Sequence, residues 1–222
     1  MPQEYRAFLF DAYGTLFDVH SVVARAGAGI AGDLARLSQL WRQKQLEFTW
    51  LRTLMDRYQD FWQITEASLR TALAQLQIDA GERQVELLLN AYLAPAVFPD
   101  ASVALDALRD FPRAILSNGS PSMLEAAVRS NGLEPYFASI ISVDQVKTYK
   151  PSPRVYQLGA EALDLPKEEI LFVSSNAWDA AGAKAFGYRV CWCNRDGREM
   201  DQLGFAPDMI VTSLDQILSR TR

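Results

Sequence analysis

Residues 8–18 read FLFDAYGTLFD, a short apolar run that ends in an aspartate and passes at once into small and turn-prone residues. With its upstream neighbours the run "YRAFLF", residues 5–10, reads as a buried strand. An aspartate just past such a strand either caps the next element or does chemistry. The rest of the chain bears on which. Further apolar runs at 113–117 "RAILS", 138–143 "ASIISV", 169–174 "EILFVS" and 188–193 "YRVCWC" read as strands, with "DMIVTS" a shorter candidate near the end. Helical patterns fall between them at 100–109, 121–130, 152–163 and 177–186. Strands alternating with helices predict an α/β fold with a parallel sheet flanked by helices.

Residues 19–92 break that alternation and read as helix throughout, with no strand candidate. The expected organisation is a core built from 1–18 and 93–222, with 19–92 inserted as an all-helical cap subdomain. In the cap helix expected at 34–58, Leu37, Leu40, Trp41, Phe48, Leu51, Met55 and Tyr58 share one face, a core stripe that Lys44 interrupts. Arg42, Leu46, Thr49, Trp50 and Thr53 cluster opposite. A helix apolar on one side is ordinarily charged on the other. Here the second face reads either as solvated surface or as a second buried face turned toward a pocket.

Composition narrows the function. Of 222 residues, 49% are hydrophobic and 22% charged, an ordinary globular balance, and the net charge of -5 supplies no basic field for nucleic acid or an anionic membrane. No apolar run approaches the roughly 20 residues of a membrane span. The start "MPQEYRAFLFD" has no basic segment followed by a long apolar one, so a cytoplasmic location is expected. His20 is the single histidine, which leaves no multi-histidine metal site. Cys191 and Cys193 read as two buried thiols on one face of a strand.

In an open parallel sheet, ligands bind beyond the carboxyl ends of the strands. There the chain carries Asp11, then Ser117 and Asn118 in "ILSNGSP", Lys150 in "KTYKPSP", and Ser174, Ser175, Asn176 and Asp179 in "VSSNAWD". Each has a bland alternative as a turn, cap or surface residue. Together they place carboxylate, hydroxyl, amide and ammonium at positions that the topology brings together.

The stretches "FDAYGTL", "ILSNGSP", "YKPSPRVY" and "FVSSNAWDAAGAKAFG" resemble the four motifs of the haloacid dehalogenase superfamily, close to its (S)-2-haloacid dehalogenase branch. The cap segment "WRQKQLEFTWLRTLMDRYQDFW" resembles that branch too. The resemblance implies a Rossmann-like core with a helical cap, hydrolytic dehalogenation of a small halogenated acid, no cofactor, and a homodimer. It implies Asp11 as nucleophile and Lys150 as its charge partner. Asp179 would act as general base, with Ser174 and Asn176 orienting water and Thr15 and Tyr156 in support. The halide would meet Arg42 and Asn118, with Phe61 as an apolar wall, and the substrate carboxylate would meet Ser117 and N–H groups after Asp11, at Ala12. Tyr13, Gln43, Leu46 and Trp178 would shape the pocket.

Most of the superfamily resemble one another in a D-x-D motif and an acidic fourth motif that hold Mg²⁺. Here Tyr13 and Ser175 stand where carboxylates would be needed, so no metal is expected. Rival readings are a fluoroacetate hydrolase using the same residues, a Mg²⁺-dependent phosphatase, and a non-catalytic binding protein of the same fold.

Overall fold

The structure is a computed structural model in which residues 5–221 are described. The reading of residues 1–4 as part of a leaderless start lies outside them. Its strands are β1 (Ala7–Phe10), β2 (Phe17–Asp18), β3 (Ala96–Val97), β4 (Arg113–Ser117), β5 (Ser139–Ser142), β6 (Ile170–Ser174), β7 (Arg189–Cys193) and β8 (Met209–Val211). Its α-helices are α1 (Ser21–Ala26), α2 (Leu34–Leu54), α3 (Phe61–Gln75), α4 (Glu82–Ala91), α5 (Pro99–Ala107), α6 (Pro121–Ser130), α7 (Pro153–Leu163), α8 (Ala177–Phe186) and α9 (Ile217–Arg220).

Six strands form one parallel sheet in the order β5-β4-β1-β6-β7-β8. β1, β4 and β6 are buried along their whole length, as a strand covered by helices on both faces must be. β1 lies between β4 and β6, so Asp11, Ser117 and Ser174 end three adjacent strands on one edge. The order reverses direction at β1, the switch point at which such sheets open a crevice. The expected α/β architecture is the one observed, and β4, α6 and α8 fall on the residues read from the sequence.

Helices α1 to α4 lie between β2 and β3, which pair antiparallel through Phe17↔Val97 and Asp18↔Ala96. This short ribbon was not legible as strand because each arm is only two residues long. Among the described residues no helix is long and apolar enough to cross a membrane.

The expected stripe on α2 needs correction. Leu37 and Trp41 are buried, but Leu51 is 43% and Met55 55% exposed, while the polar Gln45 and Thr49 are fully buried. The buried line follows Leu37, Trp41, Gln45 and Thr49 at intervals of one turn, so it runs obliquely to the apolar one. The helix ends at Leu54, short of the expected 58; Asp56 takes a positive φ of 52° just beyond it.

Candidate active site

Sharp turning of "DAYGTL" brings the chain back onto Asp11. Gly14 adopts φ +91°, which only glycine accepts readily, and its N–H donates to the carbonyl of Phe17. The turn returns Thr15, whose hydroxyl donates to Asp11 Oδ2 at 2.8 Å. Thr15 Oγ1 in turn accepts from the N–H of Ser175 at 2.9 Å, tying the first loop to the end of β6.

Asp11 is 6% exposed and both its oxygens are engaged. Lys150 Nζ donates to Oδ1 at 3.0 Å, and Asn176 Nδ2 donates to Oδ2 at 2.9 Å. The fully buried Lys150 also donates to Asp179 Oδ2 at 2.9 Å, so one ammonium bridges two carboxylates. Burial pulls the lysine's pKa down, but Asp11 and Asp179 more than offset that and hold it above its ordinary value. Asp179 has the opposite balance. Burial dominates, opposed by Lys150 and reinforced by Asp11, and pushes its carboxyl up to about 6. Tyr156 Oη donates to Asp179 Oδ1 at 2.8 Å. Ser174 Oγ accepts from the N–H of Asn176 at 3.1 Å and thereby sets that residue's turn.

Above Asp11 lies a cavity of about 10 Å³. Asp11, Ser117 and Asn118 line it from the core; Arg42, Leu46 and Phe61 line it from α2 and α3. Tyr13 and Trp178 close the sides. Its volume suits about one water, so an acid of two or three carbons enters only as these side chains part. Arg42, Leu46 and Trp178 also border a second pocket of about 530 Å³ leading away from the site. Tyr13 stacks on Phe61 at 5.9 Å, and burial pushes its phenol pKa up. Asn118 Oδ1 accepts from the backbone N–H of Lys150 at 3.0 Å, which leaves its amide N–H groups for the cavity.

The second face of α2 is therefore a half-buried face turned toward the cavity: Arg42 and Leu46 reach it and Trp50 packs edge-on against Trp178 at 5.4 Å. Gln43 is the exception among the residues expected to shape the pocket. It is exposed and does not line the cavity, because the helical turn that aims Arg42 inward carries the next residue outward. Ala12 is buried, and its carbonyl closes the turn by accepting from the N–H groups of Thr15, Leu16 and Phe17. His20 stands outside the Asp11 cluster with its ring nitrogen 2.7 Å from Ser38 Oγ, and Cys191 and Cys193 are buried free thiols.

Two features were missed from the sequence. Gln45 and Tyr92 form part of the support of Arg42. Arg195 ties Asp100 to the loop that follows Asp11, with Nε and Nη2 donating to the carboxylate at 2.9 Å, Nη2 to Thr15 O at 3.0 Å and Nη1 to Ser175 Oγ at 2.9 Å. Gln45 lies one turn from Arg42, a spacing at which side chains meet, so it had a local signal. Arg195 and Asp100 are 95 positions apart and had none.

A parallel sheet with an aspartate at its switch point, a lysine bridging that aspartate to a second one, and a helical insertion over both defines a class of hydrolases. The haloacid dehalogenase-like hydrolase family matches residues 5–187, and the chain belongs to it. Among curated relatives it is 48% identical to an (S)-2-haloacid dehalogenase of Pseudomonas sp. (strain YL), over 96% of this chain and 93% of the relative. It is 46% identical to haloacetate dehalogenase H-2 of Moraxella sp. (strain B), over 97% of both. Among solved structures it is similar to the L-2-haloacid dehalogenase of Xanthobacter autotrophicus with chloropropionic acid covalently bound, with TM-score 0.91, 38% identity and 96% of each chain covered.

Proposed function

We propose that this chain hydrolyses (S)-2-haloacids to (R)-2-hydroxyacids and halide, through an ester on Asp11. The observation that carries the reading is the buried Asp11 carboxylate, paired with Lys150 and facing a cavity bounded by Arg42 and Asn118. A relative with its acid covalently bound supports it. An Asp11 oxygen attacks C2 from the side opposite the halogen; the carbon–halogen bond breaks and the halide leaves with the bonding electrons. Arg42 and the Asn118 amide stabilise that growing charge while Phe61 and Leu46 exclude water. Ser117 and backbone N–H groups around Ala12 and Asn118 bind the substrate carboxylate. Water held near Asn176 and Ser174 then attacks the ester carbonyl as Asp179 takes its proton. The acyl C–O bond then breaks, the departing C2 oxygen takes the proton held by Asp179, and the second proton of the water is released to solvent, which restores the Asp11 carboxylate with its charge partner, Lys150, and frees the hydroxy acid. The configuration set at C2 in the first step is kept. Residues 19–92 act as the cap that brings Arg42, Leu46 and Phe61 over the site.

Metal independence belongs to this reading. Asn176 Nδ2 donates to Asp11 Oδ2 and, at 3.2 Å, to the carbonyl of Tyr13. One amide thus bridges two oxygens that a hard cation would seek. Halide release should be selective for the (S) enantiomer of 2-chloropropionate, with fluoroacetate and chloroacetate run alongside, and should be unchanged by EDTA. Loss with chelator and recovery with Mg²⁺ would overturn the assignment.

The pH profile offers a second check. Asp179 accepts a proton only when ionised, and its carboxyl titrates at about 6. In the ester Asp11 is uncharged and no longer contributes to that rise, so ester hydrolysis should fall about tenfold per pH unit on acidification from a point at or below about 6, with a plateau above it. A profile flat to pH 4 would remove Asp179 as the base.

A cytoplasmic homodimer completes the proposal. Leu51, Leu54 and Met55 are exposed at the C-terminal end of α2, one turn beyond the half-buried Phe48. Such a patch suits a two-fold contact. Light scattering should give twice the chain mass for the wild type and the chain mass for Leu51→Arg; a wild-type monomer at micromolar concentration refutes the dimer.

A further inference from the structure

Arg42 makes no ion pair among the described residues, so its charge is not cancelled by a carboxylate. It is held instead by neutral acceptors. Nη1 donates to Gln45 Oε1 at 2.7 Å and Nη2 to the Tyr13 carbonyl at 3.0 Å. Gln45 is fully buried, and its carbonyl oxygen also accepts from Tyr92 Oη at 2.9 Å. Its amide nitrogen donates to Thr65 Oγ1 at 2.8 Å, and Thr65 passes its own hydrogen to the carbonyl of Phe61 at 2.6 Å. The amide orientation follows from these partners. Turned over, its NH₂ would face a guanidinium that can only donate, and its oxygen would face a hydroxyl whose hydrogen is already committed. Tyr92 is fixed in turn by its ring contact with Trp41 at 5.2 Å.

We propose that Gln45 is the positioning residue for the halide-stabilising guanidinium. It fixes the direction of Arg42 through a neutral oxygen and leaves the positive charge free to act on the departing halide. A carboxylate at this place would fix the same geometry but cancel much of the charge. The proposal rests on the reading of Arg42 given above.

The test compares Gln45→Met, which keeps the volume and removes the acceptor, with Gln45→Glu, which keeps an acceptor and adds a charge. Single-turnover release of halide from (S)-2-chloropropionate and (S)-2-bromopropionate is measured, together with the following ester hydrolysis. Chloride concentrates its charge more and leaves less readily, so it leans harder on the guanidinium. Both variants should slow chloride release by ~10- to 100-fold, the size of one hydrogen bond to a charged group. Bromide release should slow less, and hydrolysis of the ester should keep its wild-type rate. Tyr92→Phe removes one donor to Gln45 and should move the chloride-to-bromide ratio the same way; it decides the matter if Gln45→Met fails to fold. An unchanged ratio, or equal loss in release and hydrolysis, would reduce Gln45 to packing and overturn the proposal. A wild type that releases no halide from either acid would overturn the activity itself, and this proposal with it.

Discussion

Asp11→Ala should lose at least ~10⁴-fold in halide release, about 5.5 kcal/mol of barrier at ~1.4 kcal/mol per tenfold, because the attacking atom is gone. Loss alone would not separate a nucleophile from a general base, so the informative measurement is isotopic. In a single turnover in H₂¹⁸O with enzyme in excess, a nucleophilic Asp11 supplies its own oxygen to the product. The first hydroxy acid is then unlabelled, and the label enters the Asp11 side chain when water splits the ester. The opposite pattern, with label in the first product and none in the peptide holding Asp11, would mean direct attack of water on C2. The geometry favours the first outcome. Asp11 ends β1 beneath the cavity, while Asp179, the group whose carboxyl burial raises to about 6, is a separate residue suited to handle the water proton.

Lys150→Met should be nearly as severe, with ~10³-fold or more lost in turnover and ~3–5 kcal/mol in stability near neutral pH, the cost of leaving a buried pair without its partner. Lys150 bridges Asp11 Oδ1 and Asp179 Oδ2 at 3.0 and 2.9 Å, and all three groups are buried. Without the ammonium, two carboxylates face each other in a dry site, and one takes up a proton. The pH dependence has a definite sign. Asp179 already titrates above an unfolded carboxylate, so the folded state binds its proton more tightly than the unfolded one. Removing Lys150 raises the folded value further. The stability deficit that Asp179 contributes should therefore be largest above the raised value and shrink as pH falls through it toward about 6, the wild-type folded value. Thermal melts across that range check it. A deficit that grows on acidification would contradict the bridging role.

The strands and the core helices were legible because burial imposes a simple pattern. A strand covered on both faces is a continuous apolar run, as "RAILS" is, and the motif residues follow each run at the edge where the sheet opens. Asp11, Ser117 and Ser174 converge for that reason alone, and the lysine and aspartate that join them lie in the loops and helix starts of the same edge. The ribbon of β2 and β3 carries no such pattern, since two-residue arms have no period to read.

The helical insertion is where local reading and structure part. Arg42 and Leu46 on the second face of α2 were visible in the sequence and do line the cavity, as does Phe61 of α3, which the family resemblance implied. Which side of α2 would be buried was not visible, because the C-terminal part of the apolar stripe, Leu51 and Met55, stays exposed while Gln45 and Thr49 are enclosed. Hydrophobicity predicts burial only where nothing polar waits to be satisfied. Gln45 is enclosed because Arg42, Tyr92 and Thr65 together satisfy its amide, and Arg195 holds the loop after Asp11 because Asp100 and two carbonyls converge on it. The sequence by itself determined the α/β order, the edge where chemistry collects and the residue types found there. Only the tertiary structure decided which polar side chains complete one another across distances of 20 to 180 positions, since hydrogen-bond partners depend on folded geometry and leave no period in the chain.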